Sequence, residues 1–161
     1  MDRLLRCRAF PDPTYLWWDI RPQPRFGTVE IRIMDAQSES WATHALIALV
    51  QSIAHLELEE GYHVSPLVGS AEIIAENRFA AARGGAQAYL IDPLHETQVP
   101  VARALEDLLA AAEPHARALG IDGAQDDARR LVTDSGSERQ RRAAAAAGPP
   151  TSVVRWLADV F

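Results

Sequence analysis

A chain of 161 residues has the length of one domain, and its 16 basic and 22 acidic side chains leave a formal net charge of −6. Because a chain with this negative charge is poorly suited to bind the phosphate backbone of nucleic acids, nucleic-acid binding is not expected. Every basic residue is arginine, which excludes lysine-dependent mechanisms such as P-loop or Schiff-base chemistry. The single cysteine excludes an internal disulfide, and no apolar run reaches the roughly 18–20 residues of a membrane span. With no secretion-signal pattern at the start, we expect a cytoplasmic protein.

Two alternating segments begin the predicted structure. Residues 15–21 and 28–34 alternate with a period of two, which is typical of strands with one apolar face. The segment 22–27 between them contains prolines and a glycine that break the pattern. The sequence therefore predicts an antiparallel β-hairpin over about 14–35. Because two strands alone are only marginally stable, we expect them to belong to a larger sheet.

From residue 38 the apolar spacing becomes that of a helix. The predicted helices cover 38–60 before Gly61, 70–83 before Gly84, 98–119, 125–133 and 151–161. In the third of these, Pro100 falls in the first turn and Pro114 is expected to kink or divide the helix. The alanines of 143–147, which follow a polar, arginine-rich stretch, also favour helix. The predicted fold is α+β, an N-terminal antiparallel hairpin followed by about five helices within 38–161, without βαβ order.

The predicted hairpin carries the most informative polar residues. Glu30 and Arg32 are two apart on one strand, as Asp19 and Arg21 are on the other, so each pair projects from one face. If the two polar faces align, carboxylates that bind Mg²⁺ and arginines that bind phosphate share one surface. The same pattern also fits a solvated outer sheet face with cross-strand ion pairs.

Two later segments and the histidines give weaker signals. Residues 75–83 fit an ordinary amphipathic helix, and residues 136–142 fit an exposed basic helix start. The five histidines show no metal-ligand spacing; His44 and His55 lie on one helix about three turns apart, too far to share an ion.

These same segments resemble a known family. Residues 11–37 resemble the signature of the type 2 glutamate–cysteine ligases, also called carboxylate–amine ligases. Residues 76–83, 90–92 and 136–141 are similar to later motifs of that family, in the same order. The resemblance covers nearly the whole chain, 1–161, but only roughly the C-terminal half of the family pattern. The family's N-terminal half contains an early acidic motif and further strands.

The resemblance implies a reaction and a set of site residues. In this family ATP phosphorylates the side-chain carboxylate of glutamate, and an amine such as cysteine then attacks the acyl phosphate, in a funnel-shaped antiparallel sheet related to that of glutamine synthetase. By resemblance, the cofactors are ATP and Mg²⁺, with Glu30 as a Mg²⁺ ligand. Arg32 is expected to contact the transferred phosphoryl group and Arg21 to belong to the same pocket wall. Asn77 and Arg78 are expected to contact substrate or to support the site.

Three hypotheses remain open from the sequence. The first is a ligase whose site is completed by an N-terminal-half partner chain or by a homo-oligomer. The second is a non-catalytic interaction or regulatory subunit that uses an open sheet edge to bind a full-length relative. The third is an inactive fragment.

Overall fold

A computed structural model describes residues 6–62, 69–147 and 151–160. The chain divides into two compact units, Met1–Ala36 and Gln37–Phe161, and each is described by itself. The last predicted helix extends to residue 161, and this final position lies outside the described residues.

The first unit contains the predicted hairpin. Strand β1 (Ile20–Gln23) pairs antiparallel with β2 (Thr28–Ile31), and Gly27 adopts a positive φ of 62° in the turn between them. The first strand begins later than the predicted 15–21, because a 3₁₀ turn at Pro13–Tyr15 precedes it. Its Pro22 lies opposite Val29, and the pairing tolerates a proline there because this residue need not donate to the ladder.

The second unit contains six helices among its described residues and a second hairpin. The helices are α1 (Ser40–Glu60), α2 (Ala71–Gly84), α3 (Val101–Ala118), α4 (Gln125–Thr133), α5 (Gly136–Ala147) and α6 (Thr151–Val160). Gly61, with φ 59°, ends α1, and the Ser70 side chain caps α2 by accepting from the Ile73 amide. The α+β prediction, with the hairpin first and helices after it, is confirmed, and the alanine-rich segment adds a helix to the expected number.

The second hairpin was not predicted. Strand β3 (Tyr89–Asp92) pairs antiparallel with β4 (Thr97–Pro100), so α3 begins at Val101 and not at the predicted residue 98. The turn is stabilised by Asp92, whose Oδ1 accepts from the amides of Leu94 (2.9 Å) and His95 (3.3 Å). Pro100 therefore ends a strand, and it does not lie in the first turn of a helix. Pro114 lies inside α3, which continues across it undivided.

The core of the helical unit is built from small side chains. Helix α1 packs against α3 and α4. Its buried positions include Ala42, Ala45, Ala48 and Ser52, and the neighbouring helices also bury alanines. Small residues at these positions allow close approach of the helix backbones, and Leu56 and Leu109 supply the larger fully buried side chains. None of the described helices is long and apolar enough to cross a membrane.

Candidate functional site

The first hairpin positions a buried arginine against a glutamate. Arg21 and Glu30 are direct cross-strand partners. The Arg21 side chain is only 8% exposed; its Nε donates to Glu30 Oε2 at 3.0 Å, and one terminal nitrogen forms a second bond to the same oxygen. Its other terminal nitrogen donates to the carbonyls of Thr14 (2.5 Å) and Leu16 (3.2 Å). The segment before β1 thus offers its carbonyls to a guanidinium, and this arrangement holds Arg21 in one orientation.

The Glu30 carboxylate receives donors on both oxygens. Gln23 Nε2 approaches Oε2 at 3.3 Å, and a terminal nitrogen of Arg32 donates to Oε1 at 3.1 Å. The hydrogen bonds from Arg21, and then the one from Gln23, lower the pKa of Glu30 below its ordinary value. The side chain remains 37% exposed, so this ionised carboxylate can still reach a ligand.

Arg32 is the solvent-accessible cation of the cluster. Its guanidinium carbon lies 4.9 Å from the centroid of the Trp17 ring, a cation–π distance, and its backbone N–H donates to Asp19 O at 2.7 Å. The ring and Glu30 together orient a guanidinium that reaches solvent. The structure thus brings together Arg21, Glu30 and Arg32, as the aligned polar faces of the two strands require.

Asn77 and Arg78 lie on α2, in the second unit. The Asn77 side chain forms two hydrogen bonds to β3: Nδ2 donates to Ile91 O at 3.0 Å, and Oδ1 accepts from Ile91 N at 2.7 Å. The amide therefore substitutes for a neighbouring strand along the outer edge of β3 and ties α2 to the second hairpin. Arg78 is exposed on the same helix.

A polar groove lies beside this amide. It has a volume of about 340 Å³ between α2 and the second hairpin. Its lining includes Glu76, Asn77, Arg83, Gln87, Tyr89 and Gln98. Sequence reasoning missed it, because the groove depends on the unpredicted strands β3 and β4.

The segment 136–142 starts helix α5 with Arg141 and Arg142 exposed, as its sequence suggested, but one of its arginines departs from that pattern. Arg139 on α5 is buried; one terminal nitrogen lies 3.3 Å from Glu39 Oε2, and the other donates to Asp134 O at 2.6 Å. The Trp41 indole also donates to Glu39 Oε2, at 2.8 Å, and the Trp41 ring lies within cation–π distance of Arg139. Arg139 therefore connects the start of α5 with the start of α1.

Two histidines, one on α1 and one on α3, are in contact. Their spacing in the sequence did not predict this contact. His55 Nδ1 lies 2.9 Å from His115 Nδ1, and His115 Nε2 lies 2.9 Å from Glu60 Oε1. A hydrogen bond between two Nδ1 atoms requires that one of them carry the proton and the other accept it. No local spacing predicts this contact, because the two histidines are 60 positions apart.

The hairpin cluster can supply one carboxylate ligand to a magnesium ion, but not a complete set of metal ligands. Among the described residues there is no group of three or more carboxylate, histidine or cysteine side chains that could hold a metal ion. Mg²⁺ in nucleotide sites commonly takes one or two carboxylates together with phosphate oxygens and water. Glu30, ionised and partly exposed, fits the role of a single carboxylate ligand.

Comparison with known proteins assigns the family. The model of glutamate–cysteine ligase family 2 matches residues 3–155, nearly the whole chain. The chain therefore belongs to this family, as the motif resemblance indicated.

Individual relatives agree with this assignment. A protein of Rubrobacter xylanophilus named "Putative glutamate--cysteine ligase 2-3" is 37% identical over 160 residues, which cover 99% of this chain and 42% of the relative. A Thermobifida fusca protein named "Putative glutamate--cysteine ligase 2" is 34% identical over 166 residues, covering 100% of this chain and 41% of the relative. The chain thus spans about two fifths of the length of these curated relatives.

Proposed function

We propose that this chain carries part of the active site of an ATP-dependent carboxylate–amine ligase that joins glutamate to an amine such as cysteine through an acyl phosphate. Family membership supports the class of reaction. The observation that carries the proposal is the hairpin cluster, in which two arginines hold one ionised, partly exposed carboxylate. Phosphoryl transfer depends mainly on positioning and charge neutralisation, which are the properties of such a cluster.

Each residue of the cluster has a distinct proposed role. Glu30 supplies one carboxylate oxygen to Mg²⁺, which when bound neutralises phosphate charge on ATP. Arg32 contacts the transferred phosphoryl group, because its guanidinium reaches solvent next to Glu30. Arg21 is a positioning residue: its donors are directed to Glu30 and two backbone carbonyls, so it orients the carboxylate from beneath.

Two residues of the family motif at 76–83 have proposed roles. Asn77 supports the site by holding α2 against β3, since both atoms of its amide group bond to the Ile91 backbone. Arg78, exposed on the next position of α2, contacts a carboxylate or phosphate of the substrates.

Completion of the site by further strands is part of the proposal. The chain spans about two fifths of its relatives, and the glutamine synthetase-like sheet of this family needs more strands than the hairpin supplies. The N-terminal-half segment that the relatives contain, or a homo-oligomer, supplies the remaining strands in the cytoplasm. One observation also favours a non-catalytic subunit that binds a full-length relative: Ile20 and Val29 on the apolar face of the hairpin, and Ile33 just after β2, are more than half exposed.

The test is ADP release with Mg-ATP, glutamate and cysteine, by the chain alone and mixed with the remaining segment of the Rubrobacter relative. We expect activity at least in the mixture and its loss in Glu30→Gln, because an amide is a poor Mg²⁺ ligand by comparison with a carboxylate. The matched control is Glu59→Gln on exposed α1 surface, which should keep full activity. Activity that survives in Glu30→Gln contradicts the assigned role, and a folded mixture without activity favours the non-catalytic subunit.

A further inference from the structure

The contact between His55 and His115 is a hydrogen bond that has room for a single proton. The two Nδ1 atoms lie 2.9 Å apart, and the ring centroids lie 5.1 Å apart with the rings tilted by 50°. This separation of the two nitrogens is within the range of a hydrogen bond. If both Nδ1 atoms carried protons, the two N–H groups would point at each other. The contact therefore excludes the state in which both rings are charged.

The surroundings of the pair assign its first positive charge to His115. This ring is 6% exposed, and its Nε2 lies 2.9 Å from Glu60 Oε1. Because an ionised carboxylate can only accept a hydrogen bond, His115 Nε2 carries a proton whether the ring is neutral or charged. His115 also lies in the last turn of α3, where the negative end of the helix dipole favours a cation. His55 lies more than one turn before the end of α1 and lacks this position.

The other charged side chains on the elements packed around the pair have partners of their own or lie elsewhere on their helices. Glu60 supplies the carboxylate that contacts the pair. The charged residues of α3 and α4 form the ion pairs Glu113–Arg117, Arg103–Asp107, Arg129–Glu106 and Arg129–Asp126. Arg130 lies over Trp41 in the first turn of α1, and Asp92 of the second hairpin bonds to His95. The remaining charged residues of α1, of the turn at 122–124 and of α4 are Glu57, Glu59, Asp122 and Asp127.

We propose that the His55–His115 pair is a proton-sensitive contact between α1 and α3, which holds one positive charge and opens when a second proton binds. In the neutral pair, His55 Nδ1–H donates to His115 Nδ1. The first proton binds at His55 Nε2, on the less buried ring, and the shared proton moves from His55 Nδ1 to His115 Nδ1. The positive charge then lies beside Glu60. The site left for a second proton is His55 Nδ1, which accepts the shared bond, so this proton breaks the bond and places two cations in contact.

The pair makes the folded helical unit less stable in acid. Histidines of an unfolded chain take up a proton at about pH 6.5, so the unfolded chain holds two protons on these rings below that pH. The folded pair holds one. Because the unfolded chain then binds one more proton than the folded chain, the free energy of unfolding falls as the pH falls. This inference does not depend on the proposed ligase activity.

Nitrogen-15 NMR of the histidine rings in the natural chain tests the shared proton directly. Above neutral pH we expect a coupling between the two Nδ1 atoms through the hydrogen bond, with His55 protonated on Nδ1. As the first proton binds, His55 should change to the tautomer protonated on Nε2 while the coupling persists. By pH 5 both rings should be charged and the coupling lost. Absence of the coupling at every pH, or a coupling that persists at pH 5, overturns the proposal.

Phenylalanine variants test the effect on stability. Urea unfolding of the helical unit is followed by far-ultraviolet circular dichroism at pH 7.5 and 5.5 in the natural chain, in His55→Phe and in the control His44→Phe, which changes an exposed histidine of the same helix. Acidification should raise the unfolding equilibrium constant roughly tenfold more in the natural chain and the control than in His55→Phe, because one proton separates the folded and unfolded states. Equal changes in all three proteins overturn the proposal. If His55→Phe does not fold, the NMR measurement, which needs no variant, decides.

Discussion

At the scale of single residues, burial separates the arginines of the first hairpin. Arg21 directs its donors to a carboxylate and two carbonyls away from water, whereas Arg25 is exposed beside Phe26. A buried charged donor that loses its partners cannot replace them with solvent. The environment of each arginine, and not its residue type, therefore determines how much it contributes to the stability of the fold.

The first prediction concerns the geometry of Arg21. Arg21→Lys keeps the charge but cannot bond to Glu30 twice and reach the two carbonyls at once, so we expect a loss of about 2 kcal/mol in the free energy of unfolding. Urea unfolding monitored by tryptophan fluorescence measures it. The control Arg25→Lys should change stability by less than about 0.5 kcal/mol. Equal effects of the two variants would refute the special role of Arg21.

The second prediction concerns pH. The pKa of Glu30 is lowered in the folded chain by the hydrogen bonds of Arg21 and Gln23. Its stabilising contribution is therefore fully present above the pKa of the unfolded chain, about 4.3 for glutamate, and is lost as pH falls through the lower folded value. The urea midpoint of the natural chain should thus fall more steeply below pH 5 than that of Glu30→Gln. Parallel profiles for the two proteins would contradict this assignment.

At the scale of elements, side-chain amides and charges connect segments that the backbone ladder does not. Asn77 joins α2 to β3, and Arg139 joins the start of α5 to Glu39 and Trp41 at the start of α1. These contacts join elements that are distant in the sequence. The family motifs in the second unit therefore contribute to its architecture in addition to any contact with ligands.

The third prediction tests the connection made by Asn77. Asn77→Ala leaves the Ile91 N–H and C=O without their partners, and two lost hydrogen bonds correspond to about 2 kcal/mol. We expect the Ile91 amide to exchange with solvent about thirtyfold faster, measured by hydrogen exchange with NMR detection. Glu76→Ala, on the preceding residue of the same helix, is the control and should leave this amide protected. Unchanged exchange in Asn77→Ala would show that the side chain does not hold the strand.

At the scale of the whole molecule, the two units differ in how they are stabilised. The helical unit has a core of buried alanines and leucines. Among the described residues of the hairpin unit, from residue 6 onward, Leu16 is the buried apolar side chain, and Ile20, Val29 and Ile33 are exposed. A two-stranded hairpin with an uncovered apolar face is marginal by itself. The hairpin of the isolated monomer should therefore be the less stable unit.

The fourth prediction follows from this difference. In dilute solution, fluorescence from Trp17 and Trp18 should change at lower urea concentration than the far-ultraviolet circular dichroism of the helices, so the transitions should not coincide. Replacing Trp41 and Trp156 by phenylalanine isolates the hairpin signal. The converse variant, which retains Trp41 and Trp156, is the control and should follow the helices. A single coincident transition for all probes would show that the units unfold together.

Features that depend on local residue spacing could be predicted from the sequence. Period-two alternation predicted the first hairpin, and the glycine after α1 marked where that helix ends. Alternation also predicted that Glu30 and Arg32 share a face of one strand, because side-chain direction in a strand follows from residue parity. The register of the hairpin, which places Arg21 opposite Glu30, then aligns the polar faces of the two strands. The motifs identified the family, which the family comparison confirmed.

Other features depend on tertiary packing and could not be predicted from local patterns. The short strands β3 and β4 lie directly before a strong helix, and their alternation was too brief to outweigh the helical pattern that follows. The contacts Asn77–Ile91, His55–His115 and Arg139–Glu39 join distant positions of the chain. No local pattern encodes such contacts, because they form only when packing brings separate elements within hydrogen-bond distance. The burial of Arg21 and Arg139 likewise depends on what folds over them, which residue spacing does not specify.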